Sequence, residues 1–175
     1  MKRKTEILNL ISEIEYALKF VKKNFESVMR SYEEYLKKRE YAYLVEASFF
    51  FARMYGAVEY MFLNIASQFG NQIEKERWHK SLLSKMRLDV KGIRPKVIRQ
   101  EVYEALMDIM GFRHFFRSAY DVSIDGERLG VLIHKWDRVK EMFYDDIERF
   151  LTFLYSLLEE GEDEICKGGE KDKRD

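Results

Sequence analysis

Hydrophobic residues recur at three- and four-residue steps along most of the chain. The first series runs through Ile7, Leu10, Ile11, Ile14, Leu18, Val21, Phe25, Val28, Tyr32 and Leu36, with lysine and glutamate in the gaps. That period predicts a long amphipathic helix. No glycine or proline ends it, so the charged run K-K-R-E sets the turn near Lys38–Glu40. A second series, from Leu44 through Phe51, Tyr55, Phe62 and Ile65 to Phe69, is wider and more aromatic and stops at Gly70-Asn71. Such a face predicts a helix buried on more than one side, at the centre of a bundle or in a dimer interface. Its tyrosines and methionines read as core.

Glu76 to Met86 predicts a short helix in which the Trp78–His79 pair reads as packing with a polar edge. The following run, R-L-D-V-K-G-I-R-P-K-V, holds the only proline, Pro95, and is the most basic local segment. It predicts an ordered connection attached to the core by Val90 and Ile93. From Val97 a further helix runs through Val102, Ala105, Leu106 and Ile109 into G-F-R-H-F-F-R-S-A-Y-D, ending between Asp121 and Gly126. Asp125 is the expected N-cap of a last long helix with an apolar stripe from Leu129 to Leu158. His134, beside that stripe, reads as structural. Periodicity is lost past Glu160, so residues 161–175 read as a disordered charged tail and 1–160 as one domain. Strand patterning is absent. The fold class is all-α, an antiparallel bundle of about four long helices plus a short one.

Composition narrows the function classes. A chain of 175 residues fits one domain with a substantial core. Its 31 basic and 31 acidic residues balance, so any attraction for nucleic acid has to come from a local patch. The single cysteine, Cys166, excludes an internal disulfide and a cysteine zinc cluster, and suits a reducing cytoplasm. No stretch has the form of a signal-peptide core or the length of a membrane span, so a cytoplasmic protein without a membrane partner is expected. P-loop, Rossmann, H-E-x-x-H and EF-hand motifs are missing. The three histidines are far apart in sequence and no carboxylate pair stands out, so neither a metal site nor a cofactor is expected.

The chemistry concentrates between Gly111 and Asp121. At about 100° per residue, Arg113, His114, Arg117 and Ser118 share an arc of roughly 140°, while Phe112, Phe116 and Ala119 lie mostly opposite. The aromatic side can anchor the helix while the other side presents guanidinium and imidazole groups, as a site for an anion requires. Arginines on the wet face of any amphipathic helix have the same spacing. The density of such groups in a chain with only three histidines sets this stretch apart.

With F-R-H-F-F-R-S-A-Y, and W-H-K-S-L-L-S-K-M and G-I-R-P-K-V upstream, the chain resembles the HepT-like ribonuclease toxins of the HEPN superfamily from about Tyr41 to Phe153. The family signature is R-x-x-x-x-H-x-Y. The resemblance implies a homodimer whose copies line one cleft, where RNA is cleaved without a metal. It implies that the arginine holds phosphate, the histidine handles the proton of the ribose 2′-hydroxyl, and the tyrosine lies nearby. It also implies a minimal nucleotidyltransferase antitoxin that adenylylates the motif tyrosine. On this chain the arginine is Arg113 and the tyrosine is Tyr120, but the histidine position holds Ser118. A serine hydroxyl is no general base near neutral pH. His114 lies one turn earlier on the same side and is expected to take over proton transfer, with Ser118 as a hydrogen-bonding accessory. Arg117 is expected to help Arg113 grip phosphate, whose oxygens match a guanidinium bidentately. The expected function is therefore a toxin endoribonuclease. The alternatives are a catalytically silent HEPN protein binding RNA, a nucleotide or the nucleotidyltransferase, and a structural interaction module in which Arg113 and Arg117 pair with carboxylates of a partner helix.

Overall fold

Two residues, Arg39 and Glu40, separate α1 (Lys2–Lys38) from α2 (Tyr41–Gln68), so the two helices double back as a hairpin and pack along most of their length. The computed structural model describes residues 2–70, 78–118 and 123–168. Arg39 closes α1 in the left-handed region at φ 58°, with its N–H donating to the Tyr35 carbonyl at 2.8 Å. That conformation, uncommon for a side chain with a Cβ, ends the helix without a glycine. α2 ends as its sequence predicts, with Gly70 at φ 65°.

α3 (Trp78–Met86), α4 (Gln100–Ser118) and α5 (Gly126–Gly168) complete the bundle. Among the described residues there are five helices and no strand. This is the expected all-α, HEPN-like arrangement of four long helices and a short one. α2 packs against α1, α3 and α4, and α5 closes over α1 and α4. Its central place explains the width of the α2 apolar face. Ile14, Val21 and Val28 of α1, Phe51, Val58 and Phe62 of α2, Leu106 and Ile109 of α4, and Trp136 and Phe143 of α5 are all buried in one continuous core. Among the described residues no helix is long and apolar enough to cross a membrane.

The connection between α3 and α4 is ordered, but not by the residues its hydropathy suggests. Ile93 is exposed, at the tip of a turn in which Val90 and Arg94 exchange backbone hydrogen bonds and Gly92 takes φ 73°. The buried anchor is Arg94, together with Val97 and Ile98. The Arg94 guanidinium donates to the carbonyls of Lys85, Leu88 and Pro95 at 3.0, 3.3 and 3.0 Å. It thus ties the end of α3 to the connection that follows it. α4 starts at Gln100 rather than Val97, because Asp146 of α5 caps it by accepting the Arg99 N–H at 2.8 Å. α5 has the expected local cap: Asp125 Oδ1 accepts from the N–H groups of Glu127 and Arg128 at 2.9 and 3.2 Å. Gly130 admits the Tyr32 hydroxyl so closely that a Cβ there would clash.

Candidate functional site

Glu59 interrupts the apolar stripe of α2 four residues after Tyr55 and three before Phe62, and only 5% of it is exposed. A buried carboxylate without partners is costly by several kcal/mol. Glu59 has two partners. Its Oε1 is held by His79 Nδ1 of α3, and its Oε2 lies 3.3 Å from Arg113 Nη1 of α4. Arg113 stands on the stripe of α4 four residues after Ile109, which turns it inward, and its side chain is 15% exposed. The Nη1 atom is buried and the 3.3 Å approach lacks hydrogen-bond geometry, so this contact is an undirected ion pair. The guanidinium carbon lies 5.7 Å from the centre of the Tyr55 ring. Burial, reinforced by the Glu59 charge and opposed by Arg113, pushes the Tyr55 phenol well up.

The His79 ring stacks on Trp78 with centroids 3.6 Å apart and meets the His114 ring edge-on at 4.7 Å and 86°. Three helices thus bring Tyr55, Glu59, Trp78, His79, Arg113 and His114 into one polar cluster. Of these, only Arg113 and His114 are expected from the sequence. Glu59 carries a legible signal, a charge at a core position of an otherwise apolar stripe. The place of His79 depends on how α3 docks.

A shallow groove runs along the outside of the cluster between α2 and α4, lined by Phe49, Ala52, Arg53, Gly56, Arg113, Phe116 and Arg117. The expected single outward arc is therefore divided. Arg113 spans from its buried ion pair to the groove, whereas Arg117 is exposed along it. Arg53, not singled out by the sequence, adds a third guanidinium, lying over the Phe49 ring at 5.5 Å. Ser118 is exposed and its hydroxyl donates to its own helix, to the carbonyl of His114 at 2.7 Å. This is the back-bonding ordinary for a helical serine. Tyr120 lies outside the described residues. Among those described, no group of three His, Cys, Asp or Glu side chains could hold a metal ion.

His114 is held below the usual imidazole range. Partial burial is the main cause, and His79, Arg113 and Arg117 act in the same direction against Glu59. The folded state therefore favours the neutral ring. Below about 6.5, the ordinary imidazole value, the unfolded chain binds more protons at this position, so folding loses stability as pH falls. Wild type is expected to lose stability between pH 7.5 and 5, and His114→Gln to lose less, in denaturant titrations at each pH. Equal slopes for the two proteins would show that His114 carries no such shift.

An all-α bundle whose fourth helix sets R-H-x-x-R over a buried carboxylate of the second is a HEPN-like helical domain in fold. A family model described as HepT-like protein matches residues 46–154, from α2 into α5. The chain belongs to the HepT-like family. No curated protein and no solved structure matches the chain.

Proposed function

We propose that the protein is a metal-independent endoribonuclease acting as the toxin of a toxin–antitoxin pair. The observation that carries this reading is the groove, where Arg53, Arg113 and Arg117 stand with Phe49 and Phe116 and, among the described residues, no carboxylate is in the lining. Guanidinium groups match phosphate oxygens, and aromatic faces stack on unpaired bases of single-stranded RNA. His114, beside Arg113 and held below the usual imidazole range by partial burial, offers the neutral ring that a general base for a ribose hydroxyl needs. Membership of the HepT-like family points the same way. By the same resemblance two copies share the cleft, and a minimal nucleotidyltransferase silences the toxin by adenylylating Tyr120. An unmodified Tyr120 peptide in mass spectrometry, after incubation with the cognate enzyme and ATP, would count against that last part.

One observation favours a second reading. Ser118 stands where the family has its histidine, and its hydroxyl is tied to the backbone of its own helix. A protein that binds RNA without cutting it fits that feature. Arg117 separates the outcomes because it is exposed, so its loss leaves the fold intact. Arg117→Ala is expected to weaken RNA binding severalfold and to reduce the slope of log affinity against log salt by about one, with slower cleavage in a gel assay. RNA binding without cleavage, even in Ser118→His, would leave the second reading. Absence of both binding and cleavage would end both.

A further inference from the structure

Glu59, His79 and His114 form an arrangement that the arginine groove does not need for binding. The Glu59 carboxylate takes Nδ1 of His79, which fixes a proton on that nitrogen and leaves Nε2 as the atom through which the ring exchanges a proton. Trp78, stacked on the same ring, fixes its plane. Arg113 answers the carboxylate through Oε2, and a ring kept for packing alone would need no hydrogen bond to the remaining Oε1. His114 stands edge-on to this oriented ring, and Arg113, which lines the groove, shares the carboxylate.

We infer that His79, oriented by Glu59, is a second proton-transfer residue of this site, the general acid paired with the adjacent His114. The inference rests on the ribonuclease reading and supplies the group that Ser118 does not. In the step, the 2′-hydroxyl gives its proton to His114 as its oxygen bonds to phosphorus. The bond from phosphorus to the 5′-oxygen breaks with its electron pair on oxygen, which takes the Nε2 proton of His79. The products are a 2′,3′-cyclic phosphate and a 5′-hydroxyl. The two histidines return to their starting states by exchanging protons with water, and no oxidant, reductant or further reactant enters. Glu59 faces the Nδ1 side of His79, while burial and the neighbouring cations hold His114 below the usual imidazole range and so able to accept.

A general acid is needed only when the leaving group is a poor one. The test uses the linkage that the wild-type protein cuts, once with its natural 5′-oxygen and once with sulfur in that place, because a thiolate leaves without a proton. His79→Gln is expected to slow cleavage of the oxygen linkage by about 10²- to 10⁴-fold, and of the sulfur linkage by less than about tenfold. Equal losses on both would make His79 a positioning residue only, and no loss on either would remove it from the site; both results overturn the inference. A wild-type measurement covers the case in which His79→Gln does not fold. The rate of the oxygen substrate is expected to fall on the alkaline side of its pH profile, and that limb to disappear with sulfur. A persisting limb would overturn the acid role. If wild type cleaves neither linkage, the ribonuclease reading itself has failed, and the assignment of His79 falls with it.

Discussion

Glu59→Ala is expected to destabilise the fold by about 3 kcal/mol, the lower end of the range for breaking a buried ion pair by removing one partner. The lower end applies because Arg113 and His79 keep 15% and 18% of their side-chain surface in contact with solvent and recover some hydration. For a chain of this size each kcal/mol corresponds to about 2–4 °C in the thermal midpoint, so a fall of roughly 6–12 °C should be measured. Glu59→Gln keeps the shape and an acceptor and should lose about half as much. The double variant Glu59→Leu with Arg113→Leu is the informative partner. Removing both charges avoids the stranded guanidinium, and buried ion pairs are often replaced by apolar side chains without loss. It should therefore be at least as stable as Glu59→Ala, with a coupling of the two sites above about 0.5 kcal/mol in the double-mutant cycle. A Glu59→Ala protein within 1 kcal/mol of wild type would show that the carboxylate does not hold the three helices together.

The same residue shows what the sequence could and could not disclose. Helical periodicity carries most of the fold, since each long helix has one apolar stripe and the bundle follows from burying it. The expected turn near Lys38–Glu40, the end of α2 at Gly70 and the Asp125 cap agree with the structure because each is written in neighbouring residues. The start of α4 is displaced from Val97 because its cap comes from Asp146, on α5. Ile93 is exposed and Arg94 buried because the backbone carbonyls of Lys85, Leu88 and Pro95, invisible in a hydropathy pattern, reward a buried guanidinium.

For the site, helix geometry groups Arg113, Arg117, His114 and Ser118 but does not say which way the group faces. The stripe of Val102, Leu106 and Ile109 does, because Arg113 continues it. An arginine on an apolar stripe calls for a carboxylate across the core, and Glu59 occupies the equivalent position on α2. Both signals stand in the chain. His79 carries none, since only the packing of α3 against α2 brings its ring to Glu59 and His114.

Asp146→Ala is expected to cost about as much stability as Glu59→Ala while leaving the RNA binding proposed for the groove nearly unchanged, and the contrast separates structural charge from site charge. Asp146 is fully buried. Its Oδ2 accepts the Arg99 N–H at 2.8 Å, and its Oδ1 accepts from Arg99 Nε and Arg149 Nη2, both at 2.9 Å. Loss of a helix N-cap costs typically about 1 kcal/mol, and a hydrogen bond to a charged group contributes about 1.5–3 kcal/mol. Arg99 and Arg149 are part-exposed, with 31% and 49% of their side chains accessible, so water replaces much of what their guanidiniums lose. The sum is again about 3 kcal/mol, read as a shift in the urea midpoint at constant slope. Asp146→Asn retains an acceptor for the Arg99 N–H and should lose less. The first turn of α4 should fray in Asp146→Ala, with faster hydrogen exchange at Arg99 and Gln100, while Val102, Leu106 and Ile109 keep the rest of the helix packed. Arg113, His114 and Arg117 lie in its last two turns. RNA affinity reduced by more than about threefold, with Asp146→Ala still folded, would mean that the α4 N-terminus sets the geometry of the groove, and Asp146 would then belong to the site rather than to the scaffold.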